Sequence, residues 1–160
     1  VNQQLAKMLF ANPQRIDYYD RYQEIIDAYN AEQNRATIEK TFMDLMELAS
    51  SLDTEQQRYV REGFSSDEEL SVYDLLFSEN LTKQEIETIK KVSVDLLTKI
   101  KQQIAKLDHW TDKQETKAIV DNLIRNTLWQ ELPNSYDVND IQTYQKKIYE
   151  YVYMRYPEVA

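Results

Sequence analysis

The chain holds a single glycine, Gly63, and three prolines in 160 residues. Hairpin turns and phosphate-binding loops draw on glycine for positive φ and for close approach of backbone N–H groups to an anion. One glycine supplies neither, whereas helices need none. The expectation is an all-α fold, and nucleotide hydrolysis through a phosphate-binding loop is excluded.

At this length, with 42% hydrophobic and 29% charged residues, the composition is that of an ordered globular chain able to bury one sizeable core. A single helical domain over residues 1–160, an irregular bundle of six or seven helices, is expected. The absence of cysteine removes disulfides and thiolate metal sites. No apolar run approaches the ~20 residues of a membrane span, and no charged-then-apolar leader opens the chain. A soluble, cytoplasmic protein without membrane contact is therefore expected. Because the sequence opens on Val1 and enters structure at once, it reads as a piece of a longer polypeptide.

The net charge of −9 opposes binding to polyanions. It is unevenly spread. Residues 1–80 carry 7 Lys/Arg against 16 Asp/Glu, and residues 81–160 carry 12 of each. Any phosphate contact is expected from the second half.

Helix signals follow one another along the chain. Asn12-Pro13 reads as a cap with proline in the first turn, leading into Ile16, Tyr19, Tyr22, Ile25, Ile26 and Tyr29 at helical spacing to about Asn30. A second helix, about Thr37 to Ser51, has Ile38, Phe42, Leu45, Met46, Ala49 and Leu52 as its expected inner stripe. Asp53 with Gln56 suggests the cap of a further helix bearing Tyr59 and Val60, stopped at Gly63. Ser65 and Ser66 before Glu68 and Glu69 form a doubled capping-box pattern opening a short helix that buries Leu70, Tyr73, Leu76 and Phe77; Asn80 marks the turn after it.

Thr82 with Glu85 starts the longest helix, in which Ile86, Ile89, Val92, Leu96, Leu97, Ile100, Ile104 and Leu107 keep period. Thr111 with Gln114 repeats the capping signal ahead of Ala118, Ile119, Leu123, Ile124, Thr127 and Leu128, stopping before Pro133. The last helix runs from about Val138 to Tyr156, with Ile141, Tyr144, Ile148, Val152 and Tyr156 inward, and Pro157 ends it.

Catalytic patterns dissolve on inspection. Asp67-Glu68-Glu69-Leu70 has the letters of a helicase acidic box but comes with no phosphate-binding loop and sits at a helix start, where it reads as part of a cap. Glu115-Thr116-Lys117, downstream of Asp108 and Asp112, spells a nuclease core normally built on strands, yet falls in a first helical turn. Asp17, Asp20, Glu24 and Asp27 share one helix face opposite the tyrosines, as a solvated stripe or a patch for a basic partner. His109, the only histidine, has no Glu at the spacing of a di-metal bundle and belongs to a turn. Trp110 beside it is a core or interface anchor. No catalytic, cofactor-binding or metal-ligating residue is assigned.

Three stretches taken together go further. They are Phe42-Met43-Asp44-Leu45-Met46-Glu47-Leu48, Ser65-Ser66-Asp67-Glu68-Glu69-Leu70-Ser71-Val72-Tyr73-Asp74-Leu75-Leu76, and Leu107-Asp108-His109-Trp110 with Lys113, Ala118, Val120 and Ile124. In this order they resemble the C-terminal helical domain of the restriction (motor) subunit of type I restriction-modification enzymes. The resemblance covers about residues 15–132. Many members close the region with a Tyr-Pro-Pro segment where this chain has Leu132-Pro133-Asn134-Ser135-Tyr136 and another helix, so the role of residues 138–160 stays open.

The resemblance implies a bacterial parent chain with a nuclease domain and two translocase domains, using ATP and magnesium, and a helical region docking it on the methyltransferase. The implied partners are the modification and specificity subunits, with DNA held through the whole complex. Two readings of the fragment stand. It docks the parent on the methyltransferase core through apolar and tyrosine positions of the later helices, Trp110 among them; or it guides translocating duplex through Lys83, Lys90, Lys101, Lys113, Lys117 and Arg125. A free-standing enzyme would instead require a pocket with convergent polar groups.

Overall fold

The computed structural model describes residues 1–159, which form eight α-helices and, among them, no strand. The all-α expectation holds. The helices are α1 (Asn2–Ala11), α2 (Ile16–Ala31), α3 (Arg35–Gln56), α4 (Arg58–Arg61), α5 (Asp67–Leu76), α6 (Lys83–Ala105), α7 (Gln114–Glu131) and α8 (Val138–Arg155). They fall into two compact units, Val1–Ser71 and Val72–Ala160.

In the first unit α2 and α3 pack along each other, and α1 lies against both. Leu5, Met8, Ile25, Leu48 and Leu52 make the core, with Tyr18, Tyr22 and Leu45 against it. Each fully buried leucine contributes about 1.5–3 kcal/mol of transfer free energy. Asn12 caps as expected, its Oδ1 accepting from Gln14 N at 3.1 Å, but the cap opens a 3-10 turn over Pro13–Arg15 that feeds α2.

That turn delivers Arg15 into the interior. Its guanidinium donates to Glu55 Oε2 at 2.9 Å and, through both terminal nitrogens, to the two Asp67 oxygens at 3.1 and 2.7 Å. It also reaches Met8 O at the end of α1, where Ser71 Oγ donates to Ala11 O at 2.9 Å. Two carbonyls of the last turn of α1, those of Met8 and Ala11, thus accept from side chains.

The expected stripe of α3 is corrected. Leu48 and Leu52 are buried and Leu45 half-buried, but Ile38, Phe42 and Met46 are 50%, 63% and 57% exposed. On the helical wheel these three lie about 40–160° round from the buried pair. Only the Leu48 side meets the rest of the unit. Asp53 starts no new helix, because α3 runs on through it to Gln56, and Val60 in α4 is exposed. Gly63 is the stop predicted. At φ 87°, with Phe64 N donating to Tyr59 O and Gly63 N to Val60 O, it closes a Schellman turn.

Helix α5 opens on the expected serines: Ser66 Oγ accepts from Glu69 N, and Glu69 Oε1 from Ser65 N. Leu70, Tyr73 and Leu76 are buried as expected, but Phe77, one residue past the helix end, is 43% exposed. Asn80 takes positive φ in the turn that follows.

In the second unit α6 packs on α7 and α7 on α8. The Thr82–Glu85 capping box is complete, and a second one, Asp137–Asp140, starts α8. Seven inward positions of α6, from Ile89 to Ile104, are buried, facing Val120, Ile124 and Leu128 of α7 and, beyond it, Ile141, Ile148 and Val152 of α8. Tyr136 is buried, and its hydroxyl donates to Leu76 O at 2.5 Å. Burial, followed by the fields of Tyr144 and Asp140, pushes that phenol far above its usual range.

Thr111 does not cap α7. A 3-10 turn over Trp110–Asp112 intervenes, entered through His109 at φ 48°, so Lys113 falls at the cap position without a side-chain bond. Thr116 Oγ1 reaches back to Trp110 O at 2.6 Å. Ile119 is also turned outward, with Val120 buried in its place.

Candidate partner interface

Trp110 organises the later helices. It is wholly buried, donates from Nε1 to Tyr156 O at 2.7 Å, and meets Tyr149 and Tyr153 edge-on with ring centroids 6.0 and 5.8 Å away. The bond to Tyr156 answers a backbone carbonyl just past the end of α8. Trp110 itself presents no surface to a partner. It packs against two tyrosines that reach the surface, Tyr149 half-buried and Tyr153 exposed.

Tyr149 and Tyr153 stand one turn apart on α8. With Met154, Glu150 and Lys117 of α7 they line a cleft of about 360 Å³. Met154 is 62% exposed at its mouth, and Tyr153 stays more than a third exposed. Burial, then the nearby Asp121 carboxylate and Tyr153, raises the Tyr149 hydroxyl above its ordinary value, so it remains a neutral donor at physiological pH. Lys117 Nζ sits 6.0 Å over the Tyr153 ring. The cleft offers an apolar floor, two hydroxyls, one cation and one carboxylate.

The structure brings only part of the candidate set together. Trp110, Lys117 and Lys101 gather at the C-terminal end of α8, Lys101 lying 5.5 Å over the Tyr156 ring. Lys90 lies instead over Tyr73, at 5.8 Å. Lys83 and Lys113 are exposed near the first turns of α6 and α7, and Arg125 is exposed two turns beyond Lys117. Lys99 is held by Asp95 at 3.0 Å and Glu131 at 3.1 Å. Three of the six candidate cations thus lie over tyrosine rings. Sequence reading missed Tyr149, Tyr153 and Met154, whose signal was tyrosine at i and i+4 outside the inward period of α8.

His109 Nε2 lies 3.4 Å from Asp108 Oδ1, both well exposed. Among the described residues, no group of His, Asp or Glu side chains is placed to hold a metal ion, and no helix is long and apolar enough to cross a membrane.

These observations define an all-helical module with a structured aromatic surface. Residues 1–156 match the family described as type I restriction enzyme HindI endonuclease subunit-like, C-terminal, and the chain belongs to that family. No curated protein and no solved structure matches it.

Proposed function

We propose that this domain docks an endonuclease subunit of a type I restriction enzyme onto its methyltransferase core, so that nuclease and motor act where the specificity subunit has bound. The aromatic cleft between Lys117 and the end of α8 carries the reading. Tyrosine, methionine and a flanking cation on a rigid helical support are the composition of an interface centre, and Trp110 fixes them from behind. The parent would supply ATP- and magnesium-dependent translocation and cleavage.

Guidance of DNA by this domain has less support. Three of its six candidate cations lie over tyrosine rings, and residues 16–56, spanning α2 and α3, carry ten acidic side chains against three basic ones.

The test is gel filtration of the chain with the methyltransferase and specificity subunits. Co-elution is expected, and Met154→Asp with Tyr153→Ser should weaken it at least tenfold while the helical circular dichroism is kept. Unchanged co-elution of the double variant would remove the cleft as docking surface. Absence of co-elution with the unaltered chain would remove the docking reading, and salt-sensitive binding of duplex DNA by that chain would favour guidance instead.

A further inference from the structure

The first unit carries an apolar face that the cleft of the second does not explain. Ile38, Phe42 and Met46 form an i, i+4, i+8 ridge along α3, each at least half exposed. The Arg21–Glu47 ion pair, 3.2 Å long, sets the register of the antiparallel α2 and α3. It places Ile26 level with Phe42 and Tyr29 level with Ile38, both half-buried. On the wheel, Ile26 and Tyr19 lie on the flank of α2 away from Arg21, as the ridge lies on the flank of α3 away from Glu47. The two flanks make one apolar surface running along the hairpin.

Its charge selects the occupant. Residues 16–56 carry ten acidic side chains against three basic ones. All three basic residues are already paired within the hairpin, Arg21 with Glu47, Arg35 with Glu39 and Lys40 with Asp44. Asp17, Asp20, Glu24 and Asp27 stay exposed along α2. A second copy would set one acidic hairpin against another, and nucleic acid or an anionic lipid surface would be repelled likewise. An amphipathic helix with a leucine-type stripe and lysine or arginine flanks satisfies both features: its stripe covers the ridge, and its cations meet the acidic rim.

We infer that the α2–α3 hairpin is a docking site for a basic amphipathic helix of a protein partner. This deepens the docking role proposed above, rests on it, and adds a contact separate from the aromatic cleft.

The probe is an 18-residue helical peptide with leucines at i, i+3, i+4 and i+7 and lysines on the flanks, labelled for fluorescence anisotropy against the whole chain. Binding in the micromolar range is expected, weakened at least tenfold by Phe42→Ser with Met46→Ser, and lost when glutamates replace the lysines. The same variant should weaken co-elution with the methyltransferase core. Equal binding of the lysine and glutamate peptides, no binding of either, or indifference to the Phe42/Met46 variant would overturn the inference. So would a concentration-dependent dimer that this variant abolishes, which would name a second copy as the occupant. If the unaltered chain co-elutes with the core and the variant does so equally well, this inference fails while the docking role stands. Failure of the unaltered chain to co-elute defeats the docking role itself.

Discussion

Arg15 and Glu55, 40 residues apart in sequence, meet at 2.9 Å with their side chains only 3% and 7% exposed. Glu55 receives Arg58 as well, and Arg15 is held bidentately by Asp67. The start of α2, the end of α3 and the start of α5 are thereby joined through one guanidinium. Burial works against its charge, but its hydrogen bonds to Asp67 and Glu55 outweigh it and hold Arg15 above its ordinary value.

Replacing Arg15 should destabilise the first unit severely. Arg15→Met leaves Glu55 and Asp67 short of a partner in a largely dry site, a change that typically costs about 3–5 kcal/mol. Urea denaturation followed by helical circular dichroism should show the loss, with Arg15→Lys intermediate because a single ammonium replaces the bidentate fork. A shift below about 1 kcal/mol for Arg15→Met would contradict the network's role.

The same network sets an acid limit. Burial alone would raise the Glu55 carboxyl, but hydrogen bonds from Arg58 and Arg15 win and hold it below its usual value. A depressed carboxylate contributes stability that is full above its unfolded pKa and lost as pH falls through the folded one. Helix content should therefore begin to fail below about pH 4. In Glu55→Gln the stability difference from the unaltered chain should shrink as pH falls through that range; a difference constant with pH would refute the assignment.

Gly63 is required for its backbone rather than for space. A Cβ there would meet nothing within 4 Å, yet φ is 87°. Gly63→Ala should cost about 1–2 kcal/mol of strain and Gly63→Asn less, since asparagine tolerates left-handed backbone. Thermal melts of the two variants test this ordering.

The two threonine cap signals should separate on mutation. Thr82→Ala breaks a complete capping box and should cost about 1 kcal/mol, whereas Thr111 supplies no cap to α7, so Thr111→Ala should fall within about 0.5 kcal/mol. Equal effects in denaturant would place the start of α7 elsewhere.

Trp110 tests the support behind the cleft. Trp110→Phe keeps a ring but removes the donor to Tyr156 O, leaving a half-buried carbonyl short of its partner at about 1–2 kcal/mol. Trp110→Ala should cost about 3–5 kcal/mol through the cavity. Calorimetry should rank them in that order.

Much of the fold was legible because its signals are local. A cap and the carboxylate three residues on belong to one turn, so Thr82–Glu85 and the serines before Glu69 were read correctly. Gly63 and Asn80 declare their backbone through residue type. The Arg15–Glu55–Asp67 network left no mark, because an arginine near a helix start gives no sign of what it will meet 40 and 52 positions away.

What the sequence determined by itself is the helical class and most helix positions, consequences of neighbours within a few residues, and a family likeness carried by three separated stretches in order. On α5 and α6 the period also named the buried side, but on α3 only tertiary packing decided which apolar residues turn inward. Helix α3 carries more apolar residues than one face can bury, and the pattern alone could not say whether Leu48 or Phe42 would be covered. Packing against α1 and α2 covers the Leu48 side and leaves Ile38, Phe42 and Met46 in water. On α8 the same selection turned Tyr153 and Met154 outward. The surfaces proposed to bind partners are thus the apolar positions that the fold did not use.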